Sequence, residues 1–503
     1  MAGMKAWLVA LLGACLGGAI VYALLTTEPR ARRGPARDRV APLTVHREAP
    51  RAEGGLPAAP RDLRVLIVGG GSTPESTEMQ LEADVALAKE VLPSPSHVLF
   101  AGGTASQSVR TLAPRGAALP LETRLAEFFA PRAGRTSRYR APRFEAAPAT
   151  YDGIADSLAG AKAAADSPLL LYFATHGYPG DVPALNGVTL WGGDGLTALD
   201  LTELLAKESR PVRVVSSACF SGGFAAVVWQ NGEPPAVAVN RCGFFAGDAA
   251  RETTGCDPNP DRRAHDGYSL YFLHALRGED AHGAKLPLTD LDYDADGRIS
   301  LLDAHTRAAV ASESIDIPNT TSEALLTYFS STLKTDSAGD PALSPHDAAV
   351  IRILGAKLAS PTREAARRLA AGTEAARIAA AEAAELAAQE SDAAVFELTA
   401  LLLGRWPVLD DAAHPDFAAM VSGDRAAIEA ALERSSEARA FADAEDARAE
   451  ADAALDQATI ADSMARRLHA AHEHVAQINA LQRLGGKPFA DYERVRACEY
   501  SAP

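Results

Sequence analysis

Cys219 and His176 are the two residues in this chain whose types and surroundings suit covalent chemistry. A thiol attacks carbonyl carbon well only as thiolate, and a neighbouring imidazole lowers its pKa and can carry the proton. Cys219 is followed by Phe220, Ser221, Gly222 and Gly223, then by the helix-compatible run FAAVVW. Small residues let a peptide backbone approach closely, and a helix beginning there would aim amides and its dipole at the sulfur. Gly177, directly after the histidine, offers an unobstructed amide to a developing oxyanion. Taken alone, either residue reads as an ordinary buried core position. Together they end two consecutive apolar runs, and that pairing points to a Cys–His dyad.

Those runs are the elements that must position them. PLLLYFATHG predicts a buried strand over Leu169–Ala174, ending at His176, and PVRVVSSACFSGGF predicts another over Val212–Val215, ending at Cys219. Apolar runs without in/out alternation suit parallel strands covered on both faces. Leu199–Leu205 reads as the helix between them, giving a strand–helix–strand unit. Parallel neighbours place their carboxyl ends on one sheet edge, where open α/β folds bind ligands. Upstream, Leu63–Val68 reads as a first strand running into Gly69-Gly70-Gly71, followed by a helix over 78–92, a strand over 97–101 and a helix from Tyr151. The loop GGGSTPES has neither a dinucleotide fingerprint nor a Walker lysine, so it reads as cleft edge and not as a nucleotide site.

Apolar run–His-Gly followed by apolar run–Ser-Ala-Cys-x-Ser-Gly-Gly resembles the caspase/legumain clan of cysteine peptidases, especially its bacterial legumain-like members. The His-to-Cys spacing is near the roughly 50 residues of caspases. The resemblance runs over about 63–333, through LRVLIVGGGSTPEST and GFFAGDAARETTGC…HDGYSLYFLHAL. It implies a mostly parallel sheet flanked by helices, with Cys219 as nucleophile and His176 as its proton-handling partner. It also implies an oxyanion hole from the amides of Gly177 and Cys219. Caspases carry Gln-Ala and legumains Glu-Ala-Cys-Glu at this point, where the present chain has Ser217-Ala218-Cys219. Neither family's side-chain preference therefore transfers. In the cleft loop, Asp248, Arg251, Glu252 and Asp257 are charged, and Asp248 and Arg251 are the substrate-binding candidates.

DYDADGRISLLD, Asp292–Asp303, matches an EF-hand calcium loop. Calcium takes six to eight oxygens, which Asp292, Asp294, Asp296, the Arg298 carbonyl, Ser300 and Asp303 would supply as Gly297 turns the chain. Asp303 stands where such loops usually have a bidentate Glu. A solitary loop of this kind more often staples a fold than senses a signal.

The remaining chain sets the context. At 503 residues, two or three domains are expected, and a net charge of −16 excludes a general nucleic-acid binder. Ala6–Leu25 is uncharged, mostly apolar and long enough to span a bilayer, so residues 1–28 read as a membrane anchor or signal segment. Arg30, Arg32 and Arg33 favour a cytoplasmic body by the positive-inside rule, whereas the calcium motif favours an extracytoplasmic, periplasmic-side one, which is the expectation here. Residues 29–61 read as a disordered linker and 62–335 as the peptidase domain. The alanine-rich stretch 336–485 reads as an all-α extension, a helical hairpin or coiled coil that could meet a helical partner, and 486–503 as a tail. His469, His472 and His474 are expected to face solvent. Five cysteines are too few for a disulfide framework; Cys242 and Cys256 either bridge, if the body is exported, or are two buried thiols. The expected function is a membrane-tethered cysteine endopeptidase acting on proteins or peptides. The alternatives are a transpeptidase or transamidase of the same fold and a catalytically silent calcium-binding scaffold working through its helical arm.

Overall fold

The structure, a computed structural model, describes residues 59–112, 119–131, 137–161, 167–254, 266–335 and 339–503. Its centre is a six-stranded sheet of β1 (Val65–Gly70), β2 (Ser96–Phe100), β3 (Leu169–Thr175), β4 (Val212–Ser216), β5 (Arg241–Phe245) and β6 (Asn319–Thr320), in spatial order β6-β5-β4-β3-β1-β2. All neighbours are parallel except the β5–β6 pair.

The apolar runs serve two cores at once. Val65, Ile67, Leu170, Tyr172, Val215 and Phe244 point to one side of the sheet. There they meet α1 (Met79–Val91), α5 (Tyr268–Leu276) and α6 (Leu301–Ala311). Leu66, Val68, Leu169, Leu171, Phe173, Val214 and Phe245 point to the other side, against α3 (Tyr151–Gly160) and α4 (Ala198–Leu204). A strand with both faces covered cannot show polar alternation, which is why these read as continuous apolar stretches. A further helix, α2 (Leu121–Phe129), lies away from the sheet.

The C-terminal extension is helical throughout: α8 (Pro345–Lys357), α9 (Arg363–Arg405), α10 (Phe417–Arg434), α11 (Ser436–Leu484) and α12 (Gly486–Glu499). Helices α9 and α11 run antiparallel. Arg363 pairs with Glu473, Glu374 with Arg466 and Ser391 with Glu445, each step forward on α9 matching a step back on α11. The base of this hairpin packs Met464, Leu468 and Ala471 of α11 on Ala309 and Val310 of α6. Its far end packs Leu398, Leu402, Trp406 and Ile428 around Leu121 and Leu125 of α2. Residues 50–503 accordingly form one compact unit.

Residues 486–503, read from sequence as a tail, return to the sheet as α12. Val495 and Cys498 pack with Cys242 of β5 and with Leu325 of α7 (Thr321–Phe329). Glu499, fully buried, accepts from the Thr321 and Ser322 hydroxyls and the Ser322 amide, so it caps the N-terminus of α7. Cys242 is bonded to Cys498, which settles its expected pairing differently from either sequence reading. Two cysteines 256 positions apart gave no spacing signal. No described helix is long and apolar enough to cross a membrane; the Ala6–Leu25 run lies outside the described residues, as do most of the linker, Cys256 and Asp257.

Candidate active site

Strands β3 and β4 pair in parallel with Phe173 opposite Ser216, so His176 and Cys219 each leave the sheet three residues beyond a matched pair. Both emerge at its carboxyl edge. Their segments are in contact: a Cβ on Gly177 would lie 1.9 Å from the Cys219 carbonyl oxygen. Only glycine lets the chain after the histidine pass so close to the Cys219 backbone. Gly177 also pairs with Val188 in a short antiparallel sheet at this edge.

The imidazole is held from the far side. His176 Nε2 lies 2.9 Å from the Ser76 carbonyl oxygen and 2.8 Å from Glu78 Oε2. Glu78 is itself buried and paired with Arg110 at 3.3 Å. The Gly-rich loop after β1 delivers these groups. A Cβ at Gly71 would fall 1.9 Å from the Ser76 oxygen, so glycine there allows the loop to fold back and present that carbonyl. Burial pulls the His176 pKa down, but the hydrogen bond and charge of Glu78 outweigh it, and the net shift is upward. With Nε2 fixed, Nδ1 is the nitrogen left for exchange with a sulfur. Glu78 was not legible as a site residue, since its role depends on where a loop distant in sequence brings it.

Cys219 is nearly buried at 2% exposure. The Thr253 amide donates to its sulfur at 3.3 Å. The segment after it, Ser221–Val228, is a 3₁₀ helix and not the α-helix expected, so the Thr253 amide takes the place of the anticipated helix terminus. Phe220 adopts φ +57, a conformation costly for a bulky residue. Its N–H donates to the Arg251 carbonyl at 2.8 Å, and Asn186 Nδ2 donates to both the Phe220 and Ala249 carbonyls. The cysteine loop and the cleft loop are therefore clamped together. Cys219 is also disulfide-bonded, so nucleophilic chemistry requires its reduction.

Of the substrate-binding candidates, Asp248 is half-buried and its Oδ1 accepts from the Ala250 amide at 2.8 Å. Arg251 turns to the helical arm, 3.1 Å from Asp462 Oδ2 on α11. Asp462, fully buried, also receives Arg377 and Arg466. Next to it, Ser463 donates to the Ile315 carbonyl, and Arg467 donates to backbone oxygens at 309, 312, 314 and 316. Asp316 in turn accepts from the amides of Thr254 and Tyr268. The arm thus braces the cleft loop that ends at Thr253.

At the calcium motif, Asp292, Asp294 and Asp296 bring carboxylate oxygens within 4.8 Å of one another, and Gly297 takes φ +84. That part fits a divalent cation. Ser300 and Asp303 are not turned to it: they are the N-cap and third residue of α6 and form its reciprocal capping box. Asp303 Oδ1 accepts from the Tyr293 amide and lies 3.1 Å from His346 Nε2. The Arg298 guanidinium pairs with Asp296 at 2.8 Å, and its carbonyl is the remaining donor expected from the sequence.

His474 is not solvent-facing. Its Nδ1 lies 3.2 Å from Asp347 and 3.5 Å from Glu323, and these carboxylates more than offset burial, pushing its pKa up to about 9. Two cavities among the described residues, of about 50 and 530 Å³, lie away from the dyad; neither is lined by His176 or Cys219. No family model matches this chain, and neither does any curated protein.

Proposed function

We propose that this chain is a cysteine endopeptidase of the caspase/legumain-like kind, tethered to a membrane through its N-terminal segment, with its body on the extracytoplasmic side. The observation that carries the reading is the juxtaposition of two adjacent parallel strand ends, with Gly177 pressed against the Cys219 backbone and the His176 ring fixed through Nε2. In this reading the Cys219 thiolate adds to the scissile carbonyl carbon. The C–N bond breaks as imidazolium protonates the departing amine, leaving a thioester. Water, deprotonated by the neutral ring, then hydrolyses it. Transfer to an amine in place of water would make the same site a transpeptidase. The Cys242–Cys498 bond supports an oxidising compartment.

Acyloxymethyl ketone labelling tests this. The reduced full chain is expected to label at one site and Cys219→Ala to lose it. Labelling without reductant is expected to be at least tenfold lower, because Cys219 is disulfide-bonded. Absence of labelling after full reduction would favour the silent scaffold, a reading that the buried, oxidised sulfur also supports.

Calcium is proposed as a structural ion held by Asp292, Asp294, Asp296 and the Arg298 carbonyl, with water completing the shell. Calcium added back to chelator-stripped protein is expected to raise the melting temperature of the wild type and leave that of Asp294→Asn unchanged. Equal effects on both proteins would remove the site.

A further inference from the structure

We infer that Glu323, Asp347 and His474 form a second metal site, one for a divalent first-row transition ion of the zinc type, stapling the helical arm to the α/β body. The three residues come from α7, α8 and α11, and their ligand atoms lie within 4.8 Å of one another. His474 Nδ1 is 3.2 Å from Asp347 Oδ1 and 3.5 Å from Glu323 Oε1. A tetrahedral ion with ligand bonds of 2.0–2.2 Å needs ligand–ligand edges of about 3.3–3.6 Å, so the two edges that meet at His474 already stand near coordination spacing.

Each carboxylate is oriented by its other oxygen. Glu323 Oε2 accepts from the Thr320 amide at 2.9 Å, and Asp347 Oδ2 accepts from the Ser344 hydroxyl. Oε1 and Oδ1 are therefore the oxygens aimed at the imidazole, the kind of support that fixes metal ligands. A cavity of about 50 Å³ adjoins the triad, enough for a water in the fourth position. His346 lines the same cavity at 3% exposure; its Nε2 faces Asp303, while its Nδ1 has no hydrogen-bond partner. A buried nitrogen without a partner beside a preformed donor set is what a metal-bound water would satisfy.

Charge balance agrees. Arg496 borders the cavity but is paired with buried Glu499 at 3.3 Å, and the charge of Arg467 is opposed by Asp316. That leaves the carboxylates of Glu323 and Asp347, whose two charges a divalent ion neutralises when the His305, His346 and His474 rings are uncharged. The mixed nitrogen and oxygen set favours zinc-like ions over calcium.

The full chain, stripped by chelator, is titrated with Zn²⁺ by calorimetry. An Asp292→Asn/Asp294→Asn/Asp296→Asn variant keeps the calcium loop out of the result. Wild type and that variant are expected to bind one equivalent more than His474→Ala, and Glu323→Gln to weaken binding by a factor on the order of 100. Should His474→Ala fail to fold, Co²⁺ is read instead: tetrahedral d–d bands are expected in wild type and lost in Glu323→Gln. Zinc binding unchanged by Glu323→Gln or His474→Ala, or no cobalt band in the wild type, would reduce the triad to a buried ion pair and overturn the site.

Discussion

At the scale of single residues, the His176 ring shows how a site is tuned by a group its own strand does not carry. Burial alone would lower its pKa below the ordinary 6.5, and the carboxylate of Glu78 reverses the sign. The imidazolium is thus favoured by the fold. The stability it confers is present below about pH 6.5 and is lost as pH rises through the elevated pKa. In Glu78→Gln the hydrogen bond persists but the charge is gone, so the His176 limb of the Cys219 alkylation profile is expected to move to lower pH. Activity is expected to fall by a factor on the order of 10². A limb that stays in place would show that burial and the Ser76 carbonyl set the titration without Glu78. His176 and Cys219 were legible in the sequence because each ends a long apolar run. Glu78 and Thr253 were not, because each reaches the site by a loop whose path depends on close backbone approaches such as those at Gly71 and Gly177. Ser300 and Asp303 were legible by type but not by role, since a Ser-x-x-Asp pattern opening a helix serves a capping box as well as it serves an ion.

At the scale of elements, the alanine-rich composition of α9 and α11 announced helices and even an antiparallel hairpin. It did not announce where the hairpin docks. Alanine seams set how closely helices pair, whereas docking here depends on a few polar residues, among them Asp462, Ser463 and Arg467, that meet loops of the α/β body. Asp462 is the centre, a fully buried carboxylate receiving Arg251, Arg377 and Arg466. Burial raises its pKa, and the hydrogen bonds from Arg466 and Arg251 overcome that and lower it. Asp462→Asn removes the charge that holds three guanidinium groups together and is expected to cost about 3 kcal/mol of stability. The loop from Asp248 to Thr253 should then loosen and carry the Thr253 amide away from the sulfur. In reduced protein, at a temperature where the variant is folded, Cys219 alkylation is expected to slow by up to about 10²-fold. Lost stability with an unchanged alkylation rate would mean that the arm supports the body but not the site.

At the scale of the whole molecule, the chain closes on itself. Its final helix crosses back to the sheet, caps α7 through Glu499 and is bonded from Cys498 to Cys242 on β5. The bond spans 256 positions of sequence, so in the chain-entropy model it removes freedom from the unfolded state worth roughly 5 kcal/mol. Alanine-rich helices with long exposed faces bury little apolar surface for their length, so a crosslink enclosing the whole extension matters more here than in a denser core. Cys498→Ser is therefore expected to lower the denaturant midpoint substantially, with the hairpin exchanging amide hydrogens earlier than the sheet strands. The same exchange should appear on reducing the wild type. If the variant instead unfolds in one step at the wild-type midpoint, packing of Val495 and the Glu499 cap closes the molecule unaided, and the disulfide is redundant with them.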